Sequence, residues 1–143
     1  RGDVYKRQRS GGEVLALIGD LGVGKTTFVR GLAIGMGISP EVVSSPTYTI
    51  IQEYDAHPAL IHVDMYRLEN PSEIQEIGLS DYIDGNRVVI IEWADRLSPI
   101  NLPQEHISIH MTYKNYNSRQ ALLQASGYKS LDSLNTVIRH LEL

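Results

Sequence analysis

Apolar positions along the chain follow two periods, and the change from one to the other marks out the elements. Val14-Leu15-Ala16-Leu17-Ile18 is an unbroken apolar run of strand length, which suits a strand buried on both faces. Phe28, Val29, Leu32, Ala33 and Met36 then recur at spacings of three and four. That spacing predicts a helix, and Gly37 is its natural stop. Thr, Tyr and Ile after Pro46 favour a strand over about residues 47–54. Asp55-Ala56-His57-Pro58 reads as a hairpin turn, and Leu60-Ile61-His62-Val63-Asp64 as a strand ending in a carboxylate.

Asn70-Pro71-Ser72-Glu73 is a helix start, with Asn70 as N-cap, Pro71 at the first position and Glu73 closing a capping box. The helix covers 71–77, breaks at Gly78, and a short second turn runs 79–83. After an Asp84-Gly85-Asn86 turn, Arg87–Trp93 is a second apolar strand, again with a carboxylate near its end, Glu92. Ser98-Pro99 and Leu102-Pro103 mark a loop. Residues 106–113 alternate as a strand, with Ile107, Ile109 and Met111 on one side. A turn near 115–117 leads to a strand over 119–126. The helix over 130–141 places Leu131, Leu134, Val137, Ile138 and Leu141 on one face. Buried runs alternating with helices predict an α/β fold with a mostly parallel central sheet flanked by helices and antiparallel strands near the C-terminus.

Between the first strand and first helix stands Gly19-Asp20-Leu21-Gly22-Val23-Gly24-Lys25-Thr26, the G-x-x-x-x-G-K-T pattern of a P-loop (Walker A) NTPase. The glycines let the backbone turn where a Cβ would forbid it, so that successive N–H groups point inward as an anion nest. Lys25 is the charge for the β- and γ-phosphates, and the Thr26 hydroxyl is the expected Mg²⁺ ligand. The helix places the positive end of its dipole under the phosphates. Residues Asp20 to Thr27 are the expected nucleotide contacts, and ATP with Mg²⁺ the expected ligands.

Such a site also needs a carboxylate at a neighbouring strand end to hold the metal, directly or through water. Asp64 and Glu92 both qualify, and physics alone does not order them. One can bind metal while the other positions the attacking water. Thr47, between the first helix and the next strand, occupies the topological place of a threonine that senses the γ-phosphate. Trp93, the sole tryptophan, either covers the nucleotide site, forms a partner surface, or is a core aromatic. Arg67 is the candidate arginine finger within the chain. His62 shares a strand face with Asp64, where a positioning or packing role fits better than a metal site.

The 143 residues suit one domain with one core. There is no cysteine, and the apolar runs of four or five residues are far short of a membrane span, so the cytoplasm is the default. A formal charge of −4 disfavours a surface that grips nucleic acid by itself. Residues 1–8 are expected to be non-native, because Asp3-Val4-Tyr5-Lys6-Arg7-Gln8 back-translates to a transposon-end adapter used in library preparation. Taking away Arg1, Lys6, Arg7 and Asp3 leaves 10 basic and 16 acidic residues, a charge of −6. Residues 9–143 are then the ATPase domain.

Gly19–Thr27, Ser45-Pro46-Thr47-Tyr48-Thr49, His62-Val63-Asp64-Met65-Tyr66-Arg67 and Ile91-Glu92-Trp93 together resemble the bacterial TsaE family, the ATPase of the tRNA threonylcarbamoyladenosine pathway. The resemblance covers about residues 11–143. It implies a cytoplasmic, Mg²⁺-dependent ATPase that supports modification of adenosine 37 in tRNA. Such an ATPase acts with TsaB and with TsaD, which carries the transferase chemistry, and meets tRNA only indirectly. It implies Lys25 as phosphate ligand, Thr26 as Mg²⁺ ligand, Thr47 as the switch-like threonine, and Asp64 and Glu92 as acids needed for activity. It favours Glu92 for the metal, and Trp93 falls on the family tryptophan. Family members usually carry a strand and a helix before the P-loop strand, for which this chain has no room, and Val23 stands where alanine is commoner. A small-molecule P-loop kinase is the rival class; it would need an acceptor site and an arginine-bearing lid, and neither is visible. A GTPase would need an N-K-x-D motif. A nucleotide-gated binding module overlaps with the TsaE-like role.

Overall fold

A computed structural model describes residues 12–20, 22–43, 51–68, 70, 72–73, 77–94 and 102–141, the side chains of the last helix being described as far as residue 135. The apolar run after Glu13 becomes β1, Val14–Gly19. Helix α1, Lys25–Gly35, follows the Gly-rich loop, and the chain turns out of it at Gly37 with φ 82. A short 3₁₀ turn covers Pro40–Val42. Strands β2 (Ile51–Tyr54) and β3 (Leu60–Asp64) form a hairpin around the expected turn. Helix α2 is one turn, Leu79–Tyr82, preceded by Gly78. β4 is Val88–Glu92, with every residue buried. β5 (His106–Asn115), β6 (Ser118–Ser126) and α3 (Tyr128–Leu141) complete the fold.

The strands form one sheet in the order β2-β3-β4-β1-β5-β6. Its four central strands, β3, β4, β1 and β5, are parallel to one another, while β2 and β6 run antiparallel at the two edges. This is the mostly parallel α/β architecture that the alternation of runs predicts. The continuous apolar runs exist because both faces are covered. Leu17, Leu60, Ile90 and Ile109 pack with Val29 and Ala33 of α1, and Phe28, Leu32 and Leu134 close that layer. Ala16, Ile61, Val63, Val89 and Ile91 point the other way and pack with Met65, Leu68, Leu79 and Ala94. Each buried Ile or Leu contributes about 1.5–3 kcal/mol by removal from water, so the central strands are held on both sides.

Two boundaries lie two residues from the sequence reading. β5 runs two residues further, to Asn115, because β6 pairs with it beyond the end of β1. α3 starts at Tyr128, where the Glu105 carboxylate accepts the Ser130 N–H at 2.9 Å. Leu131, placed on the apolar face by periodicity, is 47% exposed, whereas Leu134 one turn on packs inward. The Asn70 N–H donates to Glu73 Oε2 at 3.3 Å, as the expected capping box requires. Residues 44–50, 71, 74–76 and 95–100 lie outside the described residues.

Glu13, just before β1, has a buried Oε2 with no hydrogen-bond partner among the described residues. Burial pushes its carboxyl above the ordinary 4.5, against a smaller downward pull from its own backbone N–H. A carboxyl raised in this way favours the fold when protonated. That contribution is complete below the unfolded value and is lost as pH rises through the folded one. Glu13→Gln is neutral throughout, so it should raise the thermal midpoint by a few degrees at about pH 7 and by nothing at about pH 4. Melting curves at the two pH values check this, and an equal gain at both would contradict it.

Candidate functional site

Parallel pairing brings three strand ends to one edge of the sheet. Glu92 is in register with Asp64 on one side and with Leu17 on the other, and β1 ends two residues later, at Gly19, where the Gly-rich loop begins. Asp64, Glu92 and the loop therefore lie side by side at the carboxyl edge, where open α/β sheets bind ligands.

The loop's backbone is shaped by its glycines. Gly22 and Gly24 hold φ 81 and 110, values that a Cβ would strain. Gly19 has an ordinary φ; its place is set by close approach, since a Cβ there would come within 2.8 Å of the Met111 carbonyl oxygen and of Val23 Cγ1. The Val23 side chain is fully buried in the core and its N–H donates to the Asp20 carbonyl at 3.2 Å, so valine here anchors the loop to the fold. Gly24 precedes α1 without a capping side chain, and the first turn carries no acidic residue. The positive end of the α1 dipole is thus not offset by a carboxylate in that turn.

Lys25 is 5% exposed. Its ammonium donates to the Gly19 carbonyl and, at 2.9 Å, to the Asp20 carbonyl. Nζ also lies 3.7 Å from the centroid of the Trp93 ring, a cation–π contact of about 0.5–2 kcal/mol. Trp93 in turn meets Tyr66, with centroids 5.0 Å apart and planes at 43°. Trp93 has φ 61, a left-handed conformation that costs a bulky residue about 1–3 kcal/mol. The turn directly after Glu92 folds the indole back over the lysine.

The two carboxylates sit in different surroundings. Asp64 is half-buried, and its Oδ1 accepts the Tyr66 N–H at 2.9 Å. Burial raises its carboxyl, the Tyr66 N–H pulls it down, the Glu92 charge raises it further, and His62 and Lys25 lower it. Glu92 is 2% exposed, and its Oε2 pairs with Nε2 of His62, which is wholly buried. Thr26 is half-buried; Asp20, Thr27 and Arg67 are exposed. Leu21 and Thr47 lie outside the described residues. Among the described residues, no cluster of three or more His, Cys, Asp or Glu could hold a metal unaided. A hydroxyl and one or two carboxylates, all oxygen donors, fit Mg²⁺, which shares its coordination with phosphates and water and does not need an all-protein cage.

Sequence reasoning did not anticipate Tyr113 and Arg119. β5 and β6 extend past Gly19, so the Tyr113 hydroxyl comes 3.3 Å from where a Gly22 Cβ would sit. Arg119, its partner in register, covers the Tyr113 ring at 4.4 Å. The alternation Ile107, Ile109, Met111 continues to Tyr113, a signal that could have placed this ring on the P-loop side.

Residues 2–121 match the family model described as "Threonylcarbamoyl adenosine biosynthesis protein TsaE". The chain is 44% identical over 117 residues to the tRNA threonylcarbamoyladenosine biosynthesis protein TsaE of Bacillus subtilis strain 168, covering 81% of this chain and 72% of that protein. The protein of the same name from Nostoc is 44% identical over 115 residues, covering 77% and 68%. That of Treponema pallidum is 38% identical over 110 residues, covering 77% and 80%. The crystal structure of Bacillus subtilis YdiB superposes with a TM-score of 0.74 at 34% identity, over 97% of this chain and 87% of that one.

The contact between Lys25 and Trp93 has a direct readout, because the protein has one tryptophan. Lys25→Met keeps the apolar stem and removes the cation, so the intrinsic emission of Trp93 should change in intensity and wavelength. Identical spectra would show that the ammonium does not lie over the ring.

Proposed function

This chain belongs to the TsaE family, the proteins of tRNA threonylcarbamoyladenosine biosynthesis, and we propose that within it the protein is a Mg²⁺-dependent ATPase. The observation that carries this reading is the buried Lys25 ammonium, tethered to P-loop carbonyls at the sheet edge that also holds Asp64 and Glu92. A polyphosphate in the loop would bring anionic oxygens to this ammonium, and the start of α1, which carries no acidic residue in its first turn, adds to the attraction.

In this reading the backbone N–H groups of residues 20–27 hold the phosphates and Lys25 moves onto the β- and γ-oxygens. Thr26 and Glu92 hold the metal, which neutralises charge on the phosphates. Asp64 orients water, and Thr47 senses the γ-phosphate. Arg67 is exposed after β3; placing a cation on the γ-phosphate falls to it or to a partner. The protein acts in the cytoplasm with TsaB and TsaD, and meets tRNA only through them. The acidic balance of −4 supports docking on protein over gripping phosphate backbones. No helix among the described residues is long and apolar enough to cross a membrane.

Two expectations follow for catalysis. Lys25→Ala should abolish ATP binding in calorimetry. Glu92→Gln should lower turnover on the order of 10²-fold or more while metal-free nucleotide affinity stays near that of the parent; a larger loss in Asp64→Asn than in Glu92→Gln would reverse the two roles.

Turnover by the protein alone should be slow, since a missing arginine finger costs about 10³–10⁵ in rate. Adding TsaB and TsaD should raise it. Steady-state phosphate release with and without the partners measures this. A protein that is fast alone and indifferent to them contradicts partner gating, and label passing from ATP to a small acceptor in place of phosphate release would make it a kinase.

A further inference from the structure

We propose that His62 is a positioning residue: it holds the Glu92 carboxylate in the orientation in which that carboxylate serves a divalent cation at the P-loop. The inference rests on the Mg²⁺–nucleotide reading above and adds a residue to it.

His62 occupies the middle of a parallel strand whose other inner positions, Leu60, Ile61 and Val63, are apolar and fully buried. An imidazole there gives up its hydration, which costs free energy unless a partner replaces it. The partner is specific. Asp64 is in register with Glu92, so His62, two residues earlier on the same face of β3, stands diagonal to Glu92 across the β3–β4 pair. Its Nε2 meets Glu92 Oε2. A carboxylate oxygen accepts, so Nε2–H donates.

Nδ1 is buried with no hydrogen-bond partner among the described residues. A group that served stability alone would be better replaced by a well-packed apolar side chain of its size. Among the described residues the ring's one hydrogen bond is the one to Glu92, so what the imidazole contributes there is the orientation of that carboxylate. Glu92 is nearly inaccessible, and with Oε2 held, Oε1 is the oxygen left for other contacts. Carboxylates that serve a metal are themselves held by hydrogen bonds, and removing such a support costs about 10–100-fold in metal affinity or activity.

The test separates the donor from the volume. His62→Gln can return an amide N–H close to the place of Nε2; His62→Met fills a similar volume with no donor; His62→Asn has its amide near the place of Nδ1, short of Glu92. Mn²⁺ affinity is measured by electron paramagnetic resonance on the protein with a non-hydrolysable ATP analogue. Metal-free nucleotide affinity and the thermal midpoint are measured alongside.

The proposal expects His62→Met and His62→Asn to weaken Mn²⁺ binding by about 10–100-fold, with metal-free nucleotide affinity unchanged and His62→Gln close to the parent. If His62→Met does not fold, the Asn and Gln pair carries the comparison. Mn²⁺ affinities equal to the parent's in all variants overturn the proposal. So does a parallel loss of metal affinity, nucleotide affinity and thermal midpoint in all three, which would mark His62 as a packing residue. A parent that binds neither the analogue nor Mn²⁺ overturns the nucleotide reading itself, and this inference with it.

Discussion

A buried ammonium must be given partners, and much of this structure's carboxyl edge is arranged around the one at Lys25. The Gly19 and Asp20 carbonyls of the loop after β1 accept from it and an indole covers it. Each of those partners depends on something further back. The carbonyls belong to a loop that can turn only because Gly22 and Gly24 adopt positive φ. The indole arrives because Trp93 accepts a left-handed conformation right after β4 ends, a cost that the contacts with Lys25 and Tyr66 offset in part. The loop, in turn, is pinned to the core by Val23 and by the close approach of Gly19 to Met111.

The sheet supplies the rest by register alone. Pairing of β3, β4 and β1 puts Asp64 and Glu92 in line beside the loop, and two apolar layers keep those strands from sliding. A slip of one residue would turn every side chain to the opposite face, so the buried apolar residues guard the geometry of the polar ones. Against that rigid background the polar groups divide into two sets. Glu92 and His62 are locked together in the interior, whereas Asp64 keeps partial contact with water and carries a raised carboxyl for its burial.

Much of this was legible in the sequence, for reasons that can be named. β3 and β4 could be read because an apolar run of five residues has few options other than a strand covered on both sides. The turn between β1 and α1 could be read because its glycines answer a local geometric need, the positive φ of Gly22 and Gly24. The pairing of His62 with Glu92 was not legible, since it depends on β3 and β4 being neighbours, a fact about sheet order and not about either strand. Tyr113 and Arg119 were missed for a related reason: β5 overruns β1 by four residues through its pairing with β6, and only that overhang brings the ring to Gly22. Leu131 shows the opposite error. Helical periodicity placed it on the apolar face, yet it stays 47% exposed while Leu134 on that face packs inward.

The most direct test of the account is a crystal structure of the protein with Mg²⁺ and a non-hydrolysable ATP analogue. The account predicts the triphosphate cradled by residues 20–26, with the Lys25 ammonium drawn off the Gly19 and Asp20 carbonyls onto phosphate oxygens, and the metal on the side of Glu92 and Asp64. A nucleotide bound elsewhere, or a Lys25 that keeps both carbonyls with the analogue present, would contradict it.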